Sequence, residues 1–214
     1  MEARLKTDYR TKKYPVEMEV AGPMAMWTRP DSGSALVSGP VPSWSACKGM
    51  FESVARLKSA YVRPTRVEVC RPIQTHRYVT NYSCGPLRKA TQIRGGDPFQ
   101  MPAVVLVDVC YRIYGEIDEY CPAPVSINHR HALQEMFKRR LSRGQNYRPV
   151  CLGWSEFLAS YCGPFREETQ VEASMNLTIP SMLFSVFDTP ISGKVSPRFV
   201  HDVEIRNGVL EYAR

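Results

Sequence analysis

The sequence predicts an α+β fold, with a ferredoxin-like (RRM-like) N-terminal domain over residues 1–165 and a small C-terminal antiparallel β-sheet domain over residues 166–214. Strand and helix patterns follow one another in the order β-α-β-β-α-β up to about residue 152, which is the ferredoxin-like order. Both helix patterns have one apolar stripe, so each helix is expected to bury one face. Residues 177–212 contain instead short strand patterns separated by Pro and Gly.

The first strand and first helix have clear patterns. Residues 14–20 alternate apolar and polar side chains, which predicts a half-buried strand. The strand continues into AGPMAMWT, where Gly22 and Pro23 indicate a bulge or bend. A helix is predicted from about Ser43 to Ser59, with a serine at its N-cap. Its buried stripe is expected to contain Cys47, Met50, Phe51, Val54 and Leu57.

The middle of the chain contains the strongest strand pattern. Residues 65–80 predict a strand that is interrupted at Pro72, and residues 81–103, rich in Gly and Pro, predict a long loop. Residues 103–117 are apolar on both faces in their first half, so this strand is expected to lie centrally in the sheet. A strand near 148–152 is expected to complete the N-terminal sheet.

The second helix is predicted at residues 129–143. Asn128 is a good N-cap, and Gly144 can supply the left-handed residue that follows a helix. The apolar positions recur at i, i+4 and i+8 and form one buried stripe. Three cations lie off this stripe, where they face either water or a phosphate chain. The stripe is Leu133, Phe137 and Leu141, and the cations are Lys138, Arg139 and Arg143.

The C-terminal region has one strong local signal. Asn207-Gly208 separates VEIR from VLEY, which is typical of a type I′ hairpin turn. We therefore expect residues 177–212 to form a small antiparallel sheet that is appended to the first domain.

The charge balance favours a polyanionic partner. The 214 residues include 28 Lys and Arg against 21 Asp and Glu, a net charge of +7. No apolar run approaches the ~20 residues that span a bilayer, so no membrane contact is expected. The N-terminal sequence lacks the apolar core of a secretory signal, which favours a cytoplasmic protein.

Neither a metal nor a cofactor is expected. The seven cysteines contain no CxxC pair, and the histidines form no His-Glu-x-x-His pattern, so both structural zinc and metal-assisted hydrolysis lack support. The Gly-rich loops lack the spacing of a P-loop or a dinucleotide fingerprint.

Two histidines open the second helix. His129 and His131 lie where helix amides favour anions, and an imidazole can act as a general acid or base near neutral pH. They can equally be two surface histidines in a first helical turn. The basic helix likewise has two interpretations, a solvated face or a phosphate-binding face that Arg148 extends.

Five motifs in order resemble one family, the CRISPR-associated Cas family five of subtype I-C, which belongs to the RAMP superfamily. The resemblance covers nearly the whole chain. The most specific stretch is Phe137-x-Arg139-Arg140-x-x-x-Gly144-Gln145, followed by Leu152-Gly153-x-x-Glu156-Phe157. The others are Tyr14-x-Val16 through Gly22, Pro42 to Gly49-Met50, Asp108-Val109-x-Tyr111-x-Ile113, and Phe187-Asp188 with Asn207-Gly208-Val209.

The resemblance implies an endoribonuclease. The family cuts the repeat hairpins of precursor CRISPR RNA without a metal, by attack of a ribose 2′-OH on the adjacent phosphate, and stays bound to the 5′ handle in the type I-C surveillance complex (Cascade). The expected partners are therefore precursor CRISPR RNA, the crRNA 5′ handle and the other Cascade subunits. A non-catalytic handle-binding and assembly subunit is the alternative, and the charge also permits contact with double-stranded DNA.

The resemblance also implies site residues. The family pattern has a Tyr on the first helix and a Lys-His pair opening the second. Trp44 matches the Tyr position, and a gapless match places the pair on Ala132 and Leu133, whereas a shifted match places it on Arg130-His131. We expect the catalytic residues to be His131, Arg130, His129 as a reserve base, and Tyr147 in place of the missing Tyr. We expect RNA to contact Trp44, Lys48, Lys138, Arg139, Arg140, Arg143 and Arg148.

Overall fold

A computed structural model describes residues 12–32, 36–82, 99–120, 128–186 and 196–212. These residues form a mixed α and β fold of mostly antiparallel sheet with two helices. No helix in these ranges is long and apolar enough to cross a membrane. In chain order the elements are β1 (Pro15–Ala25), β2 (Leu36–Val37), α1 (Trp44–Val54), β3 (Ala60–Val69), β4 (Gln74–Tyr82), β5 (Phe99–Glu119), α2 (His129–Ser142), β6 (Tyr161–Gly163), β7 (Leu177–Ser185), β8 (Arg198–Ile205) and β9 (Val209–Glu211).

The central strand is β5, as its apolar pattern predicted. It pairs antiparallel with β1 on one side and with β3 and β4 on the other, and β2 adds a short parallel pairing. The main path through the sheet is β6-β1-β5-β3-β9. The predicted second strand is two strands, β3 and β4, because the chain breaks at 70–73 around Pro72. The predicted long loop is wrong at both ends, where residues 81–82 belong to β4 and residues 99–103 to β5, and its residues 83–98 lie outside the described ranges.

The first helix begins where it was predicted and ends earlier. The Ser43 hydroxyl accepts a hydrogen bond from the Ala46 amide at 3.2 Å, which is an N-cap. Ala55 has an extended backbone, with φ −147° and ψ 134°, so α1 stops at Val54 and the predicted end at Ser59 is wrong. Leu57 follows the helix and packs against the core from there.

The second helix matches its predicted start, stripe and end. The Asn128 side chain accepts a hydrogen bond from the His131 amide at 3.0 Å, and Gly144 has a φ of +63° beyond the last turn. The predicted stripe of Leu133, Phe137 and Leu141 is buried. This stripe fixes α2 against β1, β3 and β5 and beside α1.

The strand predicted near 148–152 is wrong. There Cys151 makes only an isolated bridge to Leu158. The amides of Tyr147 and Arg148 donate to the carbonyls of Val54 and Ser53 at the end of α1, and Pro149 has no N–H, so these residues cannot donate to a sheet. On the edge of β1 opposite β5, the neighbouring strand is instead β6, which pairs with Glu19–Ala21.

The C-terminal strands divide between two sheets. β7 and β8 form a two-stranded antiparallel sheet. Asn207 and Gly208 both have positive φ, 49° and 76°, which confirms the predicted I′-type turn. The strand after this turn, β9, pairs with β3 of the main sheet and buries Leu210, so it does not extend the small sheet as expected.

A buried carboxylate fastens the segment after β6. Glu19 of β1 is fully buried and accepts hydrogen bonds from Arg166 Nε at 2.6 Å and from Thr169 Oγ1 at 2.9 Å. Burial raises the pKa of the Glu19 carboxyl, but the hydrogen bonds from Arg166 and Thr169 outweigh it, so the pKa lies below its ordinary value. Arg112 donates to the Arg166 and Thr169 carbonyls and completes the attachment.

Candidate nucleic-acid interface

The first turn of α2 is tied to the start of β1 through one side chain. Asn128 Oδ1 accepts from the His131 amide, and Asn128 Nδ2 donates to the Tyr14 hydroxyl at 2.6 Å. Tyr14 is only 2% exposed, so this anchor is rigid. The turn that holds His129, Arg130 and His131 is therefore positioned by a buried residue of another element.

The two imidazoles differ in accessibility. His131 is exposed, and its ring centroid lies 6.3 Å from that of Tyr14. His129 is half-buried. An exposed imidazole on a fixed turn can exchange a proton with a bound strand, so His131 is the more accessible of the two predicted bases.

Arg130 faces inward. Its side chain is 15% exposed, and Nε lies 3.8 Å from Glu119 Oε1. The guanidinium carbon lies 5.4 Å from the centroid of the Tyr14 ring. The shifted match would use Arg130 as the cation beside His131, yet in this structure its charge faces a carboxylate and an aromatic ring.

Sequence analysis missed a second cation at this turn. Lys12 is exposed, and its Nζ lies 5.7 Å from the centroid of the Tyr14 ring. Tyr14 therefore has Lys12, Arg130 and His131 around its ring. The signal was the basic run just before the first strand pattern, but only the fold places residues 12 and 131 beside the same ring.

The outer face of α2 is cationic and open. Lys138, Arg139 and Arg143 are exposed, and no ion pair engages them within the part of the chain that the structure describes. Arg148 is also exposed, with its guanidinium 5.6 Å from the Tyr147 ring centroid. This open face, called the cationic face below (Lys138, Arg139 and Arg143), can contact successive phosphates.

Arg140 has a structural partner. It is half-buried, and its Nη1 donates at 3.0 Å to the Val54 carbonyl at the C-terminus of α1, which also accepts from the Tyr147 amide. The sequence prediction placed Arg140 with the RNA-binding cations. The structure corrects this, because the guanidinium joins the two helices.

Tyr147 lies at the wrong end of α2 for the predicted catalytic set. His131 is in the first turn, and eleven residues separate it from Ser142, about 16 Å along a helix axis. Tyr147 follows that end and is 55% exposed. It cannot meet the same phosphate as His131, so the prediction that it replaces the family tyrosine does not fit the structure.

The two predicted contacts on α1 are engaged internally. Trp44 is 7% exposed, donates from Nε1 to the Pro64 carbonyl at 3.1 Å, and stacks on Phe184 with centroids 5.0 Å apart. A buried, stacked ring offers no face to a base, which corrects the prediction for Trp44. The Lys48 side chain is 18% exposed, with Nζ 3.6 Å from Glu52 and 5.0 Å from the centroid of the Tyr61 ring. Its charge is therefore held within the protein.

No metal centre accompanies this turn in the described ranges, where no three His, Cys, Asp or Glu side chains are grouped as ligands.

The family model for Cas5d, a CRISPR-associated protein, matches residues 16–187. The chain belongs to the Cas5d family. The match includes β1, both helices, β5 and β7, so the Cas5d assignment covers the interface as well as the sheet.

Two relatives share nearly their whole length with this Cas5d chain. One, from Thermus thermophilus, is 30% identical over 221 aligned positions, covering 92% of this chain and 90% of the relative. The other, from Mannheimia succiniciproducens, is 26% identical and covers 92% and 93%. Both are named CRISPR pre-crRNA endoribonuclease Cas5d.

Solved structures share the Cas5d fold at low identity. A crystal structure of a CRISPR-associated protein superposes with a TM-score of 0.66 at 19% identity, covering 94% of this chain and 92% of the other. A functionally uncharacterized protein from Streptococcus mutans superposes with a TM-score of 0.69 at 15% identity, with the same coverage.

Proposed function

We propose that this Cas5d chain is an endoribonuclease that cleaves precursor CRISPR RNA within the repeat hairpin and remains bound to the 5′ handle. The supporting observation is that one helix carries an exposed imidazole at its start and an open cationic face along its outside. Such a helix can position a phosphate chain and move a proton on the same strand. The names of the two relatives describe the same reaction.

The cleavage step is an attack of a ribose 2′-OH on the adjacent phosphorus. His131 accepts the 2′-OH proton, the P–O5′ bond breaks, and the leaving oxygen takes a proton. The products are a 2′,3′-cyclic phosphate and a 5′-OH, with no metal in the reaction. Lys12 and His131 border the same Tyr14 ring, so Lys12 is the cation that stabilises the phosphorane charge, and His129 is the reserve base. Water supplies the proton that the leaving oxygen takes.

Binding of the strand is separate from cleavage. The cationic face of α2 and Arg148 contact phosphates to one side of the cut, toward the C-terminal end of α2. These contacts need only charge, so they persist after cleavage and hold the handle within the type I-C Cascade with its other subunits. The same phosphate contacts would also accept double-stranded DNA, with a lower preference for sequence.

A second function, a non-catalytic handle clamp, is favoured by one observation. Arg130 faces Glu119 and the Tyr14 ring, so the cation of the shifted family match does not stand beside His131. If Lys12 cannot replace it, the chain binds the RNA without cutting it.

The ferredoxin-like arrangement is part of the proposal. The order β6-β1-β5-β3, antiparallel throughout, with one helix after β1 and one after β5, supports a ferredoxin-like domain over residues 1–165. The β7–β8 sheet then forms the core of the C-terminal domain over residues 166–214, and β9 returns to the first domain.

One cleavage assay separates these functions. The purified chain is incubated with labelled repeat RNA in EDTA, and the ends of the products are analysed. One cut with a cyclic phosphate is expected. Tight binding of an intact strand would replace the endoribonuclease with the clamp, and equal affinity for random duplexes would indicate a general nucleic-acid binder.

A further inference from the structure

A cavity of about 340 Å³ opens between α2 and the start of β1. It lies at the lower end of small-ligand pockets, which are about 300–1,000 Å³. Its walls are mainly apolar, and two charged side chains, Lys138 and Glu17, also line it and are both exposed. The apolar walls are Phe137 and Leu141 from α2, and Pro164 and Phe165 from the segment after β6. Because the cation and the carboxylate balance, the lining suits a group without net charge.

The main chain of Glu17 has a donor and an acceptor that point away from β5. Along an antiparallel strand, the N–H and C=O of alternate residues point to the same neighbour. The Tyr14 carbonyl accepts from Ile117 of β5, whereas the Ala21 carbonyl accepts from Ser160 on the opposite side. Odd-numbered residues of this stretch therefore point away from β5. Glu17 thus directs one donor and one acceptor to the β6 side of β1, the side on which the segment with Pro164 and Phe165 follows β6.

Among the residues that the structure describes, the stretch of this edge of β1 without a partner is only one residue long. On one side of Glu17, the Pro15 carbonyl accepts from Gln134 Nε2 at 2.8 Å. On the other side, Glu19 pairs with Gly163 of β6. A partner peptide that adds a strand needs several consecutive residues, usually about 3–10. A nucleobase, by contrast, presents a donor and an acceptor side by side on one edge.

Phe165 is held in place for stacking. The Arg112 guanidinium lies 4.8 Å from its ring centroid, and the Tyr114 ring meets it edge-on at 5.3 Å. Arg112 is itself fixed by hydrogen bonds to the Arg166 and Thr169 carbonyls. An aromatic ring that is already packed against fixed neighbours loses little conformational freedom when a base stacks on it.

We propose that this cavity takes one unpaired nucleobase of the RNA strand that the cationic face of α2 holds. The base lies between Phe165 and the apolar side chains of α2, and its polar edge meets the main chain of Glu17. Lys138 belongs to both the cavity and the cationic face, so a strand on that face passes the opening. This site rests on the proposed RNA-binding function and adds to it a contact that reads an unpaired position.

The test measures RNA affinity rather than cleavage. The probe is labelled repeat RNA with 2′-fluoro sugars, which lack the nucleophile of the proposed reaction. Its Kd is measured by anisotropy for the full chain, for Phe165→Leu and for Phe199→Leu, a control that removes an exposed phenyl ring from β8. We expect Phe165→Leu to raise the Kd roughly tenfold and the control to leave it unchanged. Neither variant removes a charge, so both should keep the wild-type salt slope.

An abasic scan of the probe makes the result independent of any folding defect in the variant. One unpaired position, made abasic, should weaken wild-type binding about as much as Phe165→Leu does. The same abasic probe should weaken Phe165→Leu little further, because both changes remove one contact.

The outcomes distinguish the cavity from the proposed function. Salt-dependent binding with no effect of Phe165→Leu and no sensitive abasic position overturns the cavity site and leaves RNA binding intact. Unchanged RNA affinity with loss of assembly with other complex subunits assigns the cavity to a protein contact and also overturns it. If the wild-type chain shows no salt-dependent binding at all, the proposed function itself fails.

Discussion

Replacing Arg139 and Arg143 together by Gln should flatten the salt dependence of RNA binding. Both side chains are exposed on α2 and have no ion pair within the described residues. Glutamine keeps a polar side chain and removes the charge, so the helix is retained. If each arginine neutralises one phosphate, the slope of log K against log salt falls by about 0.7 for each contact on a single strand, or about 1.4 for the pair.

The slope converts to a measurable difference in affinity. Between about 50 and 200 mM salt, a slope smaller by about 1.4 means that the variant loses about sevenfold less affinity than the wild type. The assay is anisotropy with the repeat RNA at four or more salt concentrations. The matched control is Arg56→Gln with Arg77→Gln, which removes the same charge from two exposed arginines outside α2.

The control decides the interpretation. A contact at the cationic face predicts a smaller slope for the α2 variant alone. Equal slopes for the two double variants would mean that only net charge matters, and slopes equal to the wild type would mean that Arg139 and Arg143 face solvent. Either result refutes the cationic face as the binding surface.

Four further predictions concern catalysis and stability. His131→Ala should abolish cleavage and leave RNA affinity unchanged, and normal cleavage would remove this imidazole from the mechanism. Arg140→Ala should lower the free energy of unfolding by about 1–2 kcal/mol in urea, through the lost bond to Val54, without changing the salt slope. The pKa of the Glu19 carboxyl in the folded state is below its ordinary value of 4.5, so the ionised carboxylate contributes fully to stability above pH 4.5. This contribution is lost as the pH falls through the folded-state pKa. Glu19→Gln should therefore flatten the loss of stability in acid unfolding curves. Gly153→Ala should destabilise by about 3 kcal/mol or more in thermal unfolding, because φ is +94° and a Cβ would overlap a main-chain carbonyl; a near-normal Tm would contradict this.

The elements that the sequence predicted correctly are those determined by residues within or next to the element itself. Asn128 and Gly144 mark both ends of α2, and each acts within a few residues of its own position. Asn207 and Gly208 likewise determine their turn through their own positive φ. The apolar first half of β5 predicted a central strand because strands covered on both faces are apolar on both faces and lie mostly inside a sheet, and β5 does pair on both edges.

The errors arose where a distant element decides the role of a residue. Arg139 and Arg140 are adjacent and chemically identical, yet a helix turns about 100° between them. Arg140 is directed toward the C-terminus of α1, 86 residues earlier in the chain, and Arg139 toward solvent. The strand predicted near residues 148–152 was wrong for the same reason. The amides of residues 147 and 148 donate hydrogen bonds to carbonyls at the end of α1 and are not available to a sheet.

The prediction that Trp44 contacts RNA was wrong for a different reason, since the sequence already indicated that this side chain is buried. Trp44 lies three residues before Cys47 and seven before Phe51, so the buried stripe of α1 extends back to it. Lys48 and Glu52 are likewise four residues apart, a spacing that favours an ion pair on one helix face. The matching of α1 to a family position gave these residues a chemical role where helical periodicity indicated a structural one.

Asn128 explains why the start of α2 can combine a structural and a chemical role. A cap needs only the acceptor of this side chain, which the His131 amide uses. The amide donor remains, and the Tyr14 hydroxyl accepts it, so the cap also fixes the helix start relative to β1. An exposed imidazole on an unsupported first turn would sample many positions, because helix ends fray. Its attachment to a buried tyrosine instead restrains the main chain at His131, which favours the proton transfer that we propose for this imidazole.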